Sequence, residues 1–242
     1  MSGKVDSILL MSLQAAETGN WALATASPEI SQSSTPTISL SSAASALHAE
    51  GLSAVTSVEI DVTSDDSIAA AKAYVEEKYE RLDMLINNAG IALDVKVRGK
   101  YPLREMMKRT YEVNVFGAAA VTEEFIPLLE RSQNPRIVFT SSTVGSLERT
   151  SDPTNAWATA RIPAYSTSKA ALNIHIVYYT NILREKGFKV NASCPGYIGT
   201  DLNSYRGTGA IDEGAANMVR LATLRKDGET GTFSTAQGPR PS

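Results

Sequence analysis

The chain has 242 residues, of which 43% are hydrophobic and 20% charged, with a formal net charge of −3 at pH 7. This length allows one large α/β domain with a well-buried core. Acidic and basic residues are mixed along the sequence, which argues against a nucleic-acid partner. The sequence shows neither a signal peptide nor an apolar span of membrane length, so we expect a soluble, cytoplasmic protein without a membrane partner.

The first part of the chain gives the weakest pattern. Residues 6–45 include a Ser/Thr-rich stretch without the alternation typical of strands. ILLM (8–11) is a good strand candidate and TISL (37–40) a weaker one, whereas residues 41–51 favour a helix ended by Gly51. This segment is therefore atypical, and it predicts a poorly packed first βαβ unit.

From residue 52 onward, short apolar runs alternate with longer amphipathic runs. Ser64, followed by two aspartates, is a good helix start, and Gly187 is a good helix stop. Strands separated by helices of this length indicate an α/β fold, a Rossmann-like doubly wound parallel sheet with helices on both faces, in a single domain spanning 1–242. We predict strands at 53–62, 82–90, 135–142 and 188–196, and helices at 64–81, 102–132 and 163–187.

Polar residues follow several of the predicted strands. They are Asp61, Asn88, Ser141, Ser142 and the pair 195–196. In open parallel sheets the ligand site lies at the carboxyl ends of the strands. We therefore expect these residues to gather at one edge of the sheet.

Tyr165 and Lys169 lie four positions apart on a predicted helix, hence on one face and one turn from each other. An ammonium there can stabilise a phenolate, so the pair is a candidate general acid/base for carbonyl and alcohol chemistry. The spacing alone is weak evidence, because Tyr74 and Lys78 share it in a charged stretch typical of an exposed helix face.

Other catalytic chemistries find little support. Cys194 is the single cysteine, so no internal disulfide can form, and a buried small side chain is the ordinary interpretation. His48 and His175 do not make a typical zinc site without further ligands, and we expect His175 to be packed. We predict no metal site and no thiol enzyme.

Several short motifs now combine. They are DVT at 61–63, NNAG at 87–90, NVFG at 114–117, SSTVG at 141–145, YSTSK at 165–169 and PGYIGT at 195–200. Each is weak alone, but their order is specific. Over residues 52–234 the chain resembles the short-chain dehydrogenase/reductase family, most closely its carbonyl-reductase-like branch.

The resemblance implies a catalytic set. Ser142 would hydrogen-bond the substrate oxygen, Tyr165 would give or take the proton, and Lys169 would hold the nicotinamide ribose and lower the pKa of Tyr165. Asn114 would fix a proton-relaying water, although it could instead only hydrogen-bond backbone inside its helix. Ser141 competes with Ser142, and the SSxxG alignment favours Ser142.

The resemblance also implies a dinucleotide, with NADP(H) favoured and NAD(H) as the alternative, and a small-molecule carbonyl or alcohol substrate. Asp61 could instead cap a helix, and NNAG could be an ordinary turn. Residues 102–132 and 163–187 are candidates for a homodimer face. The implied cofactor contacts are Asp61, Val62, Asn88, Ala89, Gly90, Tyr165, Lys169, Pro195, Gly196, Ile198 and Thr200.

Two segments are expected near the substrate. Residues 147–163 resemble an inserted loop at the substrate mouth, and residues 201–214 a mobile lid. Trp157, Tyr197 and Tyr205 either form the substrate wall or simply pack at the surface.

The chain departs from the family at its start. The glycine-rich turn TGxxxGxG, which lets backbone meet the pyrophosphate, is missing. Its nearest counterpart is Thr18-Gly19, followed by an ATA run such as the next helix would carry. A frame, splice or gene-model change, a true divergence with weak cofactor binding, and a scaffold without catalysis all remain open. The abrupt composition change beside an intact catalytic set favours the first. A non-catalytic or cofactor-impaired binding or regulatory protein is thus the alternative function.

Overall fold

The structure, a computed structural model, describes residues 9–11, 21–25, 45, 48–49, 55–96 and 99–241. Its strands are β1 Leu9–Met11, β2 Trp21–Thr25, β3 Val55–Glu59, β4 Met84–Asn87, β5 Arg136–Thr140, β6 Lys189–Ser193, β7 Phe233–Thr235 and β8 Gly238–Pro239. Its helices are α1 Asp65–Tyr79, α2 Leu93–Lys96, α3 Leu103–Tyr111, α4 Ala118–Leu129, α5 Leu147–Ser151, α6 Pro163–Leu183 and α7 Ile211–Ala222.

The central sheet has six strands in the order β1-β4-β5-β6-β7-β8. Strands β4 to β7 run parallel, with Leu85 of β4 beside Ile137 of β5 and Ile137 beside Val190 of β6. Strands β2 and β3 form a separate parallel pair. The predicted parallel, doubly wound α/β fold is thereby confirmed in its central part.

Helices cover both faces of the sheet, as the side chains of β4 show. Leu85 belongs to the large core with Phe125 of α4, and neither side chain is exposed. Met84 and Ile86 point the other way and pack with Leu221 of α7. A strand buried on both faces reads as a continuous apolar run, which is why β4 and β5 were recognisable in the sequence.

The first two strands differ from the prediction. Strand β1 is antiparallel to β4, and Trp21–Thr25 is a strand although its ATA run suggested a helix. A helical crossover between parallel strands needs about a dozen residues, and fewer separate Met11 from Trp21. Residues 21–25 instead form a parallel strand beside β3, with Trp21 opposite Val55. The predictions for 37–40 and for most of 41–51 lie outside the described residues.

Helical predictions hold with altered bounds. Ser64 caps α1 by accepting from the Ser67 backbone N–H at 3.3 Å. The predicted helix 102–132 is two α-helices joined by a π-helical segment, Glu112–Gly117. Helix α6 continues as a 3₁₀ turn to Gly187, whose φ of 79° ends it. No helix in the described part of the chain is long and apolar enough to cross a bilayer.

Candidate active site

The carboxyl ends of β4 and β5 meet the helix α6 at one edge of the sheet. The Thr140 carbonyl, at the end of β5, accepts a hydrogen bond from Lys169 Nζ at 2.7 Å. The Thr140 hydroxyl donates to Asn88 Oδ1 at 2.9 Å. Asn88, one of the polar residues predicted to lie at this edge, is therefore found there.

Two glycines allow this close assembly. A Cβ on Gly145 would lie 2.7 Å from the backbone carbon of Lys169, so the SSTVG turn packs directly on α6. A Cβ on Gly90 would lie 3.4 Å from Asn114 Oδ1 and 3.5 Å from Lys169 Nζ. Without these Cβ atoms, the NNAG and SSTVG turns both reach Lys169.

Asn114 is fully buried in the π-helical segment, a feature often found at functional sites. Its Oδ1 accepts from the Ile91 N–H at 2.8 Å, and its Nδ2 donates to the Ile91 carbonyl at 3.0 Å. Nδ2 also donates to Ser168 Oγ at 2.9 Å. Both amide hydrogens thus bind protein groups, and the side chain braces the NNAG turn against α6.

The two candidate serines differ in their surroundings. Ser142 is half-buried, and its hydroxyl lies close enough to the Tyr165 phenol to lower the pKa of that group. Ser141 is 1% exposed, and its hydroxyl donates to Asn173 Oδ1 at 2.5 Å inside the core. Ser142 is therefore the serine that shares the site with Tyr165.

Burial shifts the pKa of both members of the Tyr–Lys pair. It raises the pKa of Tyr165, with contributions in the same direction from Cys194 and Asp94 and an opposing one from the Ser142 hydrogen bond. Burial also lowers the pKa of Lys169 from 10.5 to about 8. The lowered Tyr165 pKa that the resemblance implied is not found here, because desolvation disfavours the phenolate.

The predicted adenine contacts lie in a tight turn after β3. Asp61 Oδ1 accepts from the Thr63 N–H at 2.9 Å and from the Thr63 hydroxyl at 2.8 Å. Ser64, not Asp61, provides the side-chain cap of α1. Val62 is 2% exposed, and a Cβ on Gly117 would come within 2.9 Å of it.

The segment after β6 holds the predicted nicotinamide contacts Pro195, Gly196, Ile198 and Thr200. Gly196 has a φ of 88°, a conformation that favours glycine. Ile198 forms a β-bridge with Gly209, which ties this segment to the predicted lid. The last residues of that lid, from Ile211 onward, belong to α7 rather than to a loop.

An aromatic pair joins the 147–163 loop to the segment that follows β6. The rings of Trp157 and Tyr197 meet edge to face, with centroids 5.2 Å apart, and each side chain remains partly exposed. Tyr205, in contrast, is 62% exposed with a positive φ. The pair links the 147–163 loop to the turn after β6.

Sequence reasoning missed Asp94, which is 2% exposed. Its Oδ2 accepts from the backbone N–H of Ala164 at 2.8 Å and of Tyr165 at 3.1 Å. These partners lie far along the chain, so no local pattern points to them.

His175 and Cys194 take the packing roles predicted for them. His175 stacks on Tyr179 with ring centroids 6.2 Å apart, and its burial lowers its pKa. Cys194 is a buried free thiol. Within the described ranges, no group of three or more His, Cys, Asp or Glu residues is arranged to hold a metal ion.

The fold and the site define a Rossmann-like α/β protein of the oxidoreductase class. The family model described as short chain dehydrogenase matches residues 34–210. The chain therefore belongs to the short-chain dehydrogenase/reductase family. The stretch in which the glycine-rich turn is missing, around Thr18-Gly19, precedes the matched range.

Individual relatives agree with this assignment. The short-chain dehydrogenase/reductase ATR10 of Stachybotrys chlorohalonatus is 41% identical over 211 residues, covering 81% of this chain and 74% of that protein. Salutaridine reductase of Papaver bracteatum is 31% identical over 240 residues, covering 72% of this chain and 76% of that protein.

Solved structures give the same result. A carbonyl reductase from chicken fatty liver with NADPH bound has a TM-score of 0.71 at 26% identity, covering 83% of this chain and 82% of that one. Salutaridine reductase of Papaver somniferum has a TM-score of 0.68 at 27% identity, covering 80% of this chain and 86% of that one.

Proposed function

We propose that the chain interconverts a carbonyl and an alcohol by NAD(P)-dependent hydride transfer, with Tyr165 as the general acid/base. The observation that carries this proposal is that Lys169 lies beside the Tyr165 ring, 5.7 Å from its centroid, and hydrogen-bonds the Thr140 carbonyl at the end of β5. The Ser142 hydroxyl, which follows β5, lowers the pKa of Tyr165. Because burial raises the pKa of Tyr165, the phenol is protonated at neutral pH and is ready to act as an acid.

The residues at the NNAG edge fit the nicotinamide end of a dinucleotide. The absent Cβ of Gly90 leaves a surface beside Asn114 Oδ1 and the Lys169 ammonium, both polar groups suited to a ribose. Asn88 and Ala89 would flank that surface, Pro195, Gly196, Ile198 and Thr200 would line the amide, and Asp61 and Val62 would contact the adenine. When bound, the cofactor supplies or accepts the hydride.

NADP(H) is favoured over NAD(H) within this proposal. The resemblance to carbonyl reductases supports the preference, as does the NADPH named for the chicken structure. A cytoplasmic location is also part of the proposal, since the single cysteine is a free thiol.

The chain's own residues supply the proton and hold it in place. In reduction, negative charge develops on the substrate oxygen, and the Ser142 hydroxyl and the Tyr165 phenol would donate hydrogen bonds to it. Tyr165 then gives up its proton, and in the oxidative direction its phenolate takes one. Lys169 supplies positive charge nearby, and Asn114 holds the turn that borders the site.

The aromatic pair at the mouth supports an apolar substrate. Trp157 and Tyr197 offer partly exposed ring surface beside the turn after β6. Large aromatic faces favour hydrophobic, ring-bearing molecules. We therefore infer a small hydrophobic ketone, aldehyde or alcohol as the substrate class.

We also propose a homodimer formed through α6. Its outer face carries Ile174, Tyr178 and Ile182, which are 66%, 52% and 46% exposed. Their spacing of four places them in one stripe along the helix. An exposed apolar stripe of this kind is typical of an interaction surface.

A cofactor-impaired binding or regulatory protein is the second candidate. The missing TGxxxGxG turn favours it, because that turn normally receives the pyrophosphate. Sequencing the transcript tests the origin of this segment. An intact glycine-rich turn in another reading frame would indicate a frame or gene-model change, and its absence from every frame would exclude one.

The two candidates are separated by titrating NADPH against the purified chain while following fluorescence. A panel of hydrophobic carbonyl compounds then tests turnover through NADPH oxidation. Saturable binding with turnover supports the enzyme. No saturable binding at millimolar cofactor would overturn the enzymatic proposal for this chain.

A further inference from the structure

Helix α6, which carries Tyr165 and Lys169, begins without a local cap. Its N-cap residue is Ile162, whose side chain makes no capping hydrogen bond, and Pro163 follows at the first helical position. The first N–H groups of any helix lack partners within the helix. Proline has no N–H, so the groups that need acceptors here begin at Ala164.

Asp94 supplies the missing acceptor from a distant part of the chain. Its Oδ2 accepts from the N–H groups of Ala164 and Tyr165 at 2.8 and 3.1 Å. The next N–H, of Ser166, already donates to the Ile162 carbonyl at 2.9 Å. Asp94 thus completes the hydrogen bonding of the first turn, at the end of the helix where negative charge is favourable.

The carbonyl of Tyr165 is held as well. Ser168 Oγ donates to it at 2.7 Å, and Asn114 Nδ2 donates to Ser168 Oγ at 2.9 Å. Asn114 also holds both backbone groups of Ile91, three positions before Asp94. The Tyr165 backbone is therefore fixed on both sides by groups anchored on the NNAG turn and the π-helical segment.

We propose that Asp94 is a positioning residue for Tyr165, which it holds at the site through the backbone N–H of the tyrosine itself. This inference rests on the proposed function, because Asp94 is taken to hold Tyr165 in position for proton transfer. Displacements of about 1 Å in a reacting group can cost about a hundredfold in rate.

The Asp94 carboxylate has features that helix capping alone does not explain. Its second oxygen, Oδ1, is buried and has no hydrogen-bond partner among the described residues. A buried acceptor without a partner is unfavourable, and a serine or threonine hydroxyl would cap the helix without it. The charge also faces Tyr165 together with Lys169, Cys194 and the Ser142 hydroxyl, and it contributes to the raised pKa of the phenol.

The test compares Asp94→Ala, Asp94→Asn and Ser64→Ala. Ser64 caps α1 through one hydrogen bond and is not one of the proposed catalytic or cofactor-contacting residues, so its variant controls for the loss of a helix cap. We expect Asp94→Ala to lower kcat about 10- to 100-fold with little change in the KM for NADPH. Asp94→Asn keeps an acceptor and should recover most of kcat.

The pH profile supplies a readout that a purely structural role would not move. Removing the negative charge of Asp94 lowers the pKa of Tyr165, so the alkaline limb of carbonyl reduction should move to lower pH in Asp94→Asn. Ser64→Ala should keep the wild-type profile. Wild-type kcat and pH profile in both Asp94 variants would overturn the proposal.

Amide hydrogen exchange separates this proposal from the proposed function. The amides of Ala164 and Tyr165 should exchange faster in Asp94→Ala than in the wild type, and Ser64→Ala should leave them protected. If no carbonyl compound is turned over, the proposed function fails, yet these two amides still report the positioning role. Unchanged exchange in Asp94→Ala would overturn it whatever the activity.

Discussion

The ammonium of Lys169 lies 5.7 Å from the ring centroid of Tyr165, but its hydrogen bond goes to the carbonyl of Thr140. Lys78 and Tyr74 share the same spacing, and there Nζ donates directly to the phenol oxygen at 3.0 Å on the surface. The spacing therefore does not define the site. Burial and the carboxyl edge of β5 distinguish the pair in α6.

This contrast gives a matched test of the general acid. Tyr165→Phe should lower NADPH-dependent carbonyl reduction by about 10²- to 10⁴-fold, because proton donation is lost while the ring remains. Tyr74→Phe makes the same chemical change at the exposed pair and should leave turnover unchanged. The rate is followed as NADPH oxidation at saturating substrate. Full turnover by Tyr165→Phe would show that another group is the acid.

The neighbouring serines allow a second comparison. Ser142→Ala removes the serine hydroxyl that acts on the Tyr165 phenol. It should reduce kcat/KM by about 10²-fold with little change in stability. Ser141→Ala removes the buried hydrogen bond to Asn173 and should cost about 1 kcal/mol in unfolding free energy, with kcat nearly retained. Denaturant unfolding and steady-state kinetics on both variants check this. The reverse pattern would assign the catalytic hydroxyl to Ser141.

The sequence alone predicts those parts of the fold and site that depend on local residue patterns. Apolar runs located the buried strands, and the end of each strand placed Asn88 and Ser142 at one edge. The sequence pattern does not predict helix α7 or strands β7 and β8, and the predicted lid at 201–214 overlaps the start of α7. Their short or weakly patterned runs depend on packing against the sheet for their structure.

Local sequence patterns do not predict contacts between residues that lie far apart in the chain. The hydrogen bonds from Ala164 and Tyr165 to Asp94 form only after the sheet brings α2 and α6 together. The π-helical segment at Asn114 likewise interrupts what reads as one helix. The direction of the Tyr165 pKa shift follows from burial, which spacing does not reveal.

Trp157 should affect substrate choice more than chemistry. Trp157→Ala removes the ring that meets Tyr197, so KM for large hydrophobic carbonyl compounds should rise about 5- to 50-fold. The kcat for a small aldehyde should change little, since Trp157 does not contact Tyr165 or Ser142 in the described interactions. KM values across a size series check this. A uniform loss of kcat would contradict a role in substrate binding.

The apolar stripe on α6 predicts a change of assembly state. Tyr178→Asp places a charge in the stripe and should convert the dimer to a monomer, whereas Lys186→Asp, beyond the end of the stripe, should not. Analytical ultracentrifugation measures the mass of each variant. A wild-type monomer at micromolar concentration would contradict the homodimer.

Burial of the Lys169 ammonium should lower the stability of the protein when no ligand is bound. Its side chain is 3% exposed, and burial lowers its pKa from 10.5 to about 8. Below pH 8 both folded and unfolded chains carry the ammonium, so the folded state bears the whole cost. Between pH 8 and 10.5 the unfolded chain binds the extra proton, so the wild type gains stability as pH rises.

Lys169→Met should therefore stabilise the chain at pH 7 while abolishing turnover. The depression of the lysine pKa corresponds to roughly 3 kcal/mol, and leaving the Thr140 carbonyl without its donor offsets about 1 kcal/mol of that. The net gain, about 2 kcal/mol by these terms, should shrink as pH rises from 8 toward 10.5. Lys78→Met is the matched control, because hydrogen bonding to Tyr74 raises the pKa of that lysine and no such gain is expected. Denaturant unfolding across this pH range decides the matter: equal stability of Lys169→Met and wild type at pH 7 would mean that the buried amine is held without the expected cost.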